Sequence, residues 1–263
     1  MALIHHHSSQ FAYYVLASFI GAGVGFLSGL FGKGGSAITT PLLRVILHTP
    51  RFFALASPLP ATLPTTASAS WAYRGQDLVD WNAVSVTCLW GIPATIIGSW
   101  ASSRVGGHFL MLLTAVFITY LGANLLWRGE HEKQEGISRT DPSHRRKLAA
   151  IAIGVGFLSG LLANAGGVLY GPLFISWIDM PTKKALATSL IVSCFLAVPG
   201  TLAHWYLGHI DWVLVLALSI ATIPMSYLGA EYALKMKSKS LLKLYGIALT
   251  LFGLYDLIHT LRH

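Results

Sequence analysis

"GVGFLSGLFGKGGSAITTPLL" (residues 23–43) decides the fold, and "GVGFLSGLLANAGGVLYGPLF" (residues 154–174) nearly repeats it. Each stretch starts as an apolar helix, breaks at a cluster of small residues, and resumes as a second apolar helix. Adding 131 maps the first half of the chain onto the second without a gap. Residues 23–30 become 154–161 with all eight identical. Pro41 maps to Pro172, Pro50 to Pro181, Asp80-Trp81 to Asp211-Trp212, Pro93 to Pro224, Gly98 to Gly229 and Gly122 to Gly253. Apolar residues match by chance in an apolar chain; Gly, Pro, Asp and Trp matches do so far less. A repeat of this length has to be recognised before any local reading, because it sets the whole architecture.

The surrounding composition says what solvent the repeat lives in. Of 263 residues, 54% are hydrophobic and 11% are charged, against about 25% charged in an ordinary soluble domain. Apolar runs at 52–73, 82–103, 108–127, 186–207, 212–234 and 241–258 each reach the roughly 17–25 residues that cross a bilayer as helix. The expected fold is an all-α polytopic membrane protein with a first transmembrane repeat at 11–127, a cytoplasmic linker at 128–147 and a second repeat at 148–260. The excess of basic residues, +8 overall, falls between apolar runs and reflects topology rather than nucleic-acid binding. Cys88 and Cys194 both sit inside apolar runs and read as small buried residues. "HHH" at 5–7 lacks a partner motif and reads as a tag remnant or solvated tail.

The charges also orient the halves. If each Gly-rich segment is a re-entrant hairpin, each half has three full spans and the halves are inverted. One face then collects 13 Lys and Arg and the other 4, with Lys33 at depth. Four full spans per half would make the halves parallel and split the charges 9 against 8. The positive-inside bias prefers the inverted arrangement, with the linker in the cytoplasm and both termini outside the inner membrane. Residues 17–31 and 36–47 would rise about 22 Å and 18 Å as helix, enough to reach mid-membrane and too little to cross. The tips at 32–36 and 163–167 are then expected to meet near the midplane, where broken backbone is tolerated only inside protein or beside a wet cavity.

"GFLSGLFGKGGSAITTPLL", its copy "GFLSGLLANAGGVLYGPLF", and "ALATSLIVSCFLAVPGTLAHWYLGHIDW" (185–212) are together similar to the sulfite exporter TauE/SafE family, also called toluene-sulfonate uptake permeases. The resemblance runs nearly the length of the chain. It implies transport of small sulfur-containing anions such as sulfite, sulfoacetate and related organosulfonates. Lys33, and the proline-rich "SPLPATLPTT" at 57–66, depart from the usual pattern of that family.

The residue types agree with an anion site. A charge at bilayer depth is costly, so Lys33 is a functional candidate. Gly34, Gly35 and Ser36 open the returning helix, whose free N–H groups and positive dipole end favour an anion. Asn164, Ala165, Gly166 and Gly167 hold the repeat-related tip, an amide beside exposed backbone. Thr66 and Ser193 lie mid-span as hydroxyl candidates for the path, with Thr65, Ser68 and Cys194 near them. Gly25, Gly29, Gly156 and Gly160 have the spacing of close helix packing, and Asp80 and Asp211 that of N-caps.

All ten acids fall in loops or toward span ends, so the sequence offers no mid-membrane carboxylate as a proton or sodium relay. It offers no metal-ligand spacing, no cofactor motif and no nucleophile–base pair; an enzyme is not expected. The expected partners are a small anionic substrate and the lipid bilayer, with a homodimer as an allowed assembly and nucleic acid excluded. The leading reading is secondary transport, with export by alternating access. An anion channel, or an ion-coupled importer of organosulfonates or small carboxylates, stands beside it.

Overall fold

The structure, a computed structural model, describes residues 2–32, 36–101, 107–128, 142–162 and 166–262. Every regular element among them is a helix. The first half holds α1 (Ala2–Phe31), α2 (Ser36–Ile46), α3 (Arg51–Ala56), α4 (Pro58–Ala72), α5 (Trp81–Ala101) and α6 (Gly107–Arg128). The second holds α7 (Pro142–Leu161), α8 (Gly167–Trp177), α9 (Thr182–Tyr206), α10 (Trp212–Lys235) and α11 (Ser238–Arg262). Five described helices are long and apolar enough to cross a membrane: Ala12–Phe31, Trp81–Ala101, Thr182–Tyr206, Trp212–Lys235 and Ser238–Ile258.

The helices exchange contacts between the halves in register. A Cβ on Gly25 would meet the Thr222 Cα at 2.6 Å, and one on Gly156 would meet the Gly91 carbonyl oxygen at 2.6 Å. Gly29 likewise sits against Ser226, and Gly160 against Thr95. Shifted by 131, each contact in one list is the other list's contact. Any side chain at these four glycines would collide with backbone, so only glycine permits this approach. The same exchange holds at helix starts: the Asp80 amide donates to Thr188 Oγ1 at 3.0 Å, and the Asp211 amide to Ser57 Oγ at 3.0 Å.

Direction follows from the same pairs. Gly21, Gly25 and Gly29 meet Leu218, Thr222 and Ser226, so α1 and α10 rise together. In α6 and α11, Gly122 meets Thr250 while Thr119 meets Gly253, so these two repeat-related helices run antiparallel. The α4–α9 pair is antiparallel too: Cys194 Sγ lies 3.9 Å from the Leu63 carbonyl, and Gly200 faces Leu59.

Two expectations change. The span expected over 52–73 is broken at Ser57, into α3 and α4, whereas its counterpart α9 is continuous. Pro58 and Pro60 remove two backbone donors just where α3 would have to continue, and Pro58 instead takes the first position of the new helix. The first hairpin leg is also longer than expected. α1 has 30 residues, about 45 Å at 1.5 Å each, and is helical through the stretch read as a tail. Its far end nonetheless stops short. At the constant offset of α1 on α10, Phe31 is level with residue 228, and α10 continues to Lys235. The leg ends about 10 Å before its neighbour does. The second leg, α7, starts at Pro142, inside the segment expected to be linker.

Candidate functional site

The two hairpins place the site. Gly32 ends the first leg with a positive φ of 63°, a conformation that costs glycine little. Its carbonyl accepts from Ser189 Oγ at 2.6 Å, and its Cα faces Leu186. The tip therefore rests on the first third of α9. Gly166 turns the second hairpin with φ 69° and caps α8. A Cβ there would strike the Tyr170 ring at 2.8 Å.

Lys33, Gly34, Gly35, Asn164 and Ala165 lie outside the described residues. Ser36 begins α2, and Gly167 begins α8 in a fully buried position. Thr66 is buried but turns back on its own helix, donating to the Thr62 carbonyl at 2.8 Å. Ser193 is fully buried, and its hydroxyl has no hydrogen-bond partner among the described residues. Asp80 and Asp211 are the helix caps the sequence suggested: Asp80 Oδ1 accepts from the Ala83 amide, and Asp211 Oδ1 from the Val213 and Leu214 amides.

What the sequence reading missed is a recess lined by four threonines. Thr39 of α2, Thr62 and Thr65 of α4 and Thr222 of α10 converge on a small recess of about 10 Å³, walled by Val24, Pro58, Ala61 and Leu218, room for roughly one water molecule. Thr222 is packed against Gly25 and sits at half the height of α10. Thr65 and Thr222 hydroxyls are 2.8 Å apart, and Thr65 also contacts the Ala61 carbonyl at 2.6 Å. A hydroxyl has one proton and can rotate it. The Thr65 proton goes either to the Ala61 carbonyl or to Thr222, and Thr222 also contacts the Ser219 carbonyl at 3.3 Å, so one proton of the pair can be redirected to an acceptor in the recess. Ser226 Oγ donates to the Thr65 carbonyl at 2.9 Å and fixes α4 on α10. No lining residue among those described carries a charge. Such a wall offers neutral O–H groups, and no group of three or more His, Cys, Asp or Glu side chains among the described residues could hold a metal.

One end of the bundle is tied by lysines. Lys184 Nζ lies 3.7 Å from Asp80 Oδ2, and Lys183 Nζ donates to the Leu234 carbonyl at 2.7 Å. Their repeat counterparts are Phe53 and Phe52, residue types that cannot make such ties.

The chain matches a family model described as "Sulfite exporter TauE/SafE" over residues 17–255. It is 26% identical over 261 residues to the probable membrane transporter protein YunE of Bacillus subtilis, covering 91% of this chain and 96% of that one. It is 28% identical over 245 residues to a probable membrane transporter protein of Xylella fastidiosa, covering 90% and 92%. A probable membrane transporter protein of Methanocaldococcus jannaschii is 25% identical over 256 residues, covering 91% and 93%. No solved structure matches.

Proposed function

The chain belongs to the sulfite exporter TauE/SafE family, and from that premise we propose a secondary transporter for small sulfur-containing anions: sulfite, sulfoacetate or related organosulfonates. In this reading it lies in the inner membrane as two inverted repeats, each a broken hairpin plus three spans, with both termini outside. Substrate moves outward by alternating access. The observation that carries the reading is the threonine recess. It is a hydroxyl-lined space at half height of a long apolar helix, beside a broken hairpin. The proton shared between Thr65 and Thr222 is free to turn toward a ligand in that space. The antiparallel pairing of the repeat-related α6 and α11 supports the inversion.

The roles follow from the chemistry. Thr222 and Thr39 turn a hydroxyl proton to the oxyanion, and Thr62 and Thr65 do so by giving up their bonds to the Pro58 and Ala61 carbonyls. Lys33 supplies the charge from the first tip, with Gly34, Gly35 and Ser36 offering backbone N–H groups. Asn164, Ala165, Gly166 and Gly167 form the opposite wall. Membrane potential favours anion exit by roughly 2.3 kcal/mol per charge per 100 mV, so outward movement needs no coupling ion.

Proteoliposomes loaded with sulfite, sulfoacetate, taurine, thiosulfate or acetate test this. Saturable efflux of a sulfur anion, accelerated by an inside-negative potential and slowed by Thr222→Val, is the expected result. Efflux indifferent to potential would remove uncoupled export of a charged substrate. Single-channel currents would replace the transporter with a channel, and efflux of acetate alone would move the substrate class to carboxylates.

A further inference from the structure

The repeat predicts a second recess in the second half, lined by the counterparts of the threonines. Thr39 corresponds to Tyr170, Thr65 to Leu196 and Thr222 to Gly91. These three come together as their counterparts do, but they fill the space. A Cβ at Gly91 would lie 3.2 Å from the Tyr170 hydroxyl and 3.2 Å from Leu196 Cδ2. Glycine at 91 thus makes the room that the tyrosine occupies. Tyr170 is completely buried, its ring lies 5.7 Å from that of Phe174, and its hydroxyl has only a long contact, 3.4 Å, to the Ala152 carbonyl.

Around this plug the polar character of the site persists. Ser193 stands where the first half has Thr62, and Thr87 where it has Leu218. Both are fully buried, and both hydroxyls have no hydrogen-bond partner among the described residues. A helical Ser or Thr normally returns its proton to the carbonyl one turn back, as Thr62, Thr65 and Thr66 do on α4. A buried hydroxyl left unmade is costly, and two on facing helices at repeat-related positions of one recess mark a site rather than two separate defects.

We propose that the second half contains a second small-oxyanion site, shut by the Tyr170 side chain and bordered by the Thr87 and Ser193 hydroxyls. Movement of the tyrosine opens it. The chemistry of the ligand, though not the existence of the closed space, rests on the transporter reading above.

Cysteine accessibility tests the space and the ligand separately. In protein with Cys88→Ala and Cys194→Ala, Ser193→Cys is treated with an anionic alkyl methanethiosulfonate. The thiol is expected to be unreactive with Tyr170 or Tyr170→Phe in place. With Tyr170→Thr it should react roughly tenfold faster or more, the open state having become the populated one. Equal rates with Tyr170→Thr and with Tyr170 would overturn the proposal, as would fast labelling of Tyr170→Phe. If Tyr170→Thr does not give a monodisperse protein, the reverse graft decides. Thr39→Tyr with Thr222→Gly should close the first recess and slow labelling of Thr62→Cys by a similar factor; an unchanged rate overturns the plug. Sulfite or sulfoacetate should protect the opened Ser193→Cys. Labelling at Ser193→Cys without protection there overturns the ligand assignment and leaves the closed space standing. Loss of protection at Thr62→Cys as well would mean that the transporter reading itself has failed.

Discussion

The two returning helices, α2 and α8, are repeat counterparts of equal length and opposite surroundings. α8 is buried from Gly167 to Phe174, with only Trp177 at its end exposed. Tyr170 and Phe174 join a core in which Phe31 stacks on Tyr245 at 5.1 Å, and Tyr245 donates to the Val168 carbonyl. α2 keeps Val45 and Ile46 about two-fifths exposed and carries Arg44 in its last turn. Its one recess-facing polar residue, Thr39, replaces a tyrosine. The glycine contacts around the two hairpins are the same in both halves. The frame is thus symmetric and the filling is not: glycine sets how close the helices come, and side-chain volume decides which half keeps a recess.

That comparison breaks most visibly under truncation. Tyr170→Ala should destabilise by about 3–5 kcal/mol, the range for deleting a buried aromatic, whereas Thr39→Ala should cost under about 1 kcal/mol. Unfolding midpoints in mild detergent would show it, and equal midpoints would mean that the two hairpins are packed alike. Next, Thr65→Val and Thr222→Val each remove a hydroxyl proposed to meet a charged ligand, worth about 1.5–3 kcal/mol. Sulfite affinity should fall roughly tenfold to a hundredfold by that measure. Thr66→Val, whose hydroxyl faces its own helix, should leave affinity within about threefold; a matching loss would move the site round α4.

Where the halves agree, so should their variants. Gly25→Ala and Gly156→Ala both force a methyl into backbone and should cost similar amounts, about 1–3 kcal/mol. A large inequality would show that the frame itself is asymmetric. The smallest effect expected is at the caps. Asp211→Ala loses an N-cap worth about 1 kcal/mol. Asp80→Ala loses a cap and the Lys184 contact, so it should cost a few tenths of a kcal/mol more. Lys184→Ala on its own should close that gap.

Much of this was legible in the residues. The capping aspartates and the packing role of Gly25, Gly29, Gly156 and Gly160 stand in the structure, because backbone proximity and capping are demands that few residue types satisfy. The proline-rich stretch stood out in the sequence, and the structure breaks the helix there. The recess was not found. Thr39, Thr62 and Thr222 did not stand out because depth along the sequence was the guide, and depth does not say which way round a helix a hydroxyl faces. A signal was present: Thr39, Thr65 and Thr222 are places where the repeat fails, against Tyr170, Leu196 and Gly91.

The sequence by itself determined that the chain is helical, apolar enough for a bilayer, duplicated, and a member of its family. Those properties rest on composition and on periodic constraints that each segment carries alone. Tertiary structure decided the parallel seating of α1 on α10, the antiparallel pairing of α6 with α11, and which half keeps an open space. Each of these depends on volumes and hydrogen-bond partners contributed by residues far apart in the chain, and no local pattern encodes whether a tyrosine fills its neighbour's glycine or a threonine leaves room.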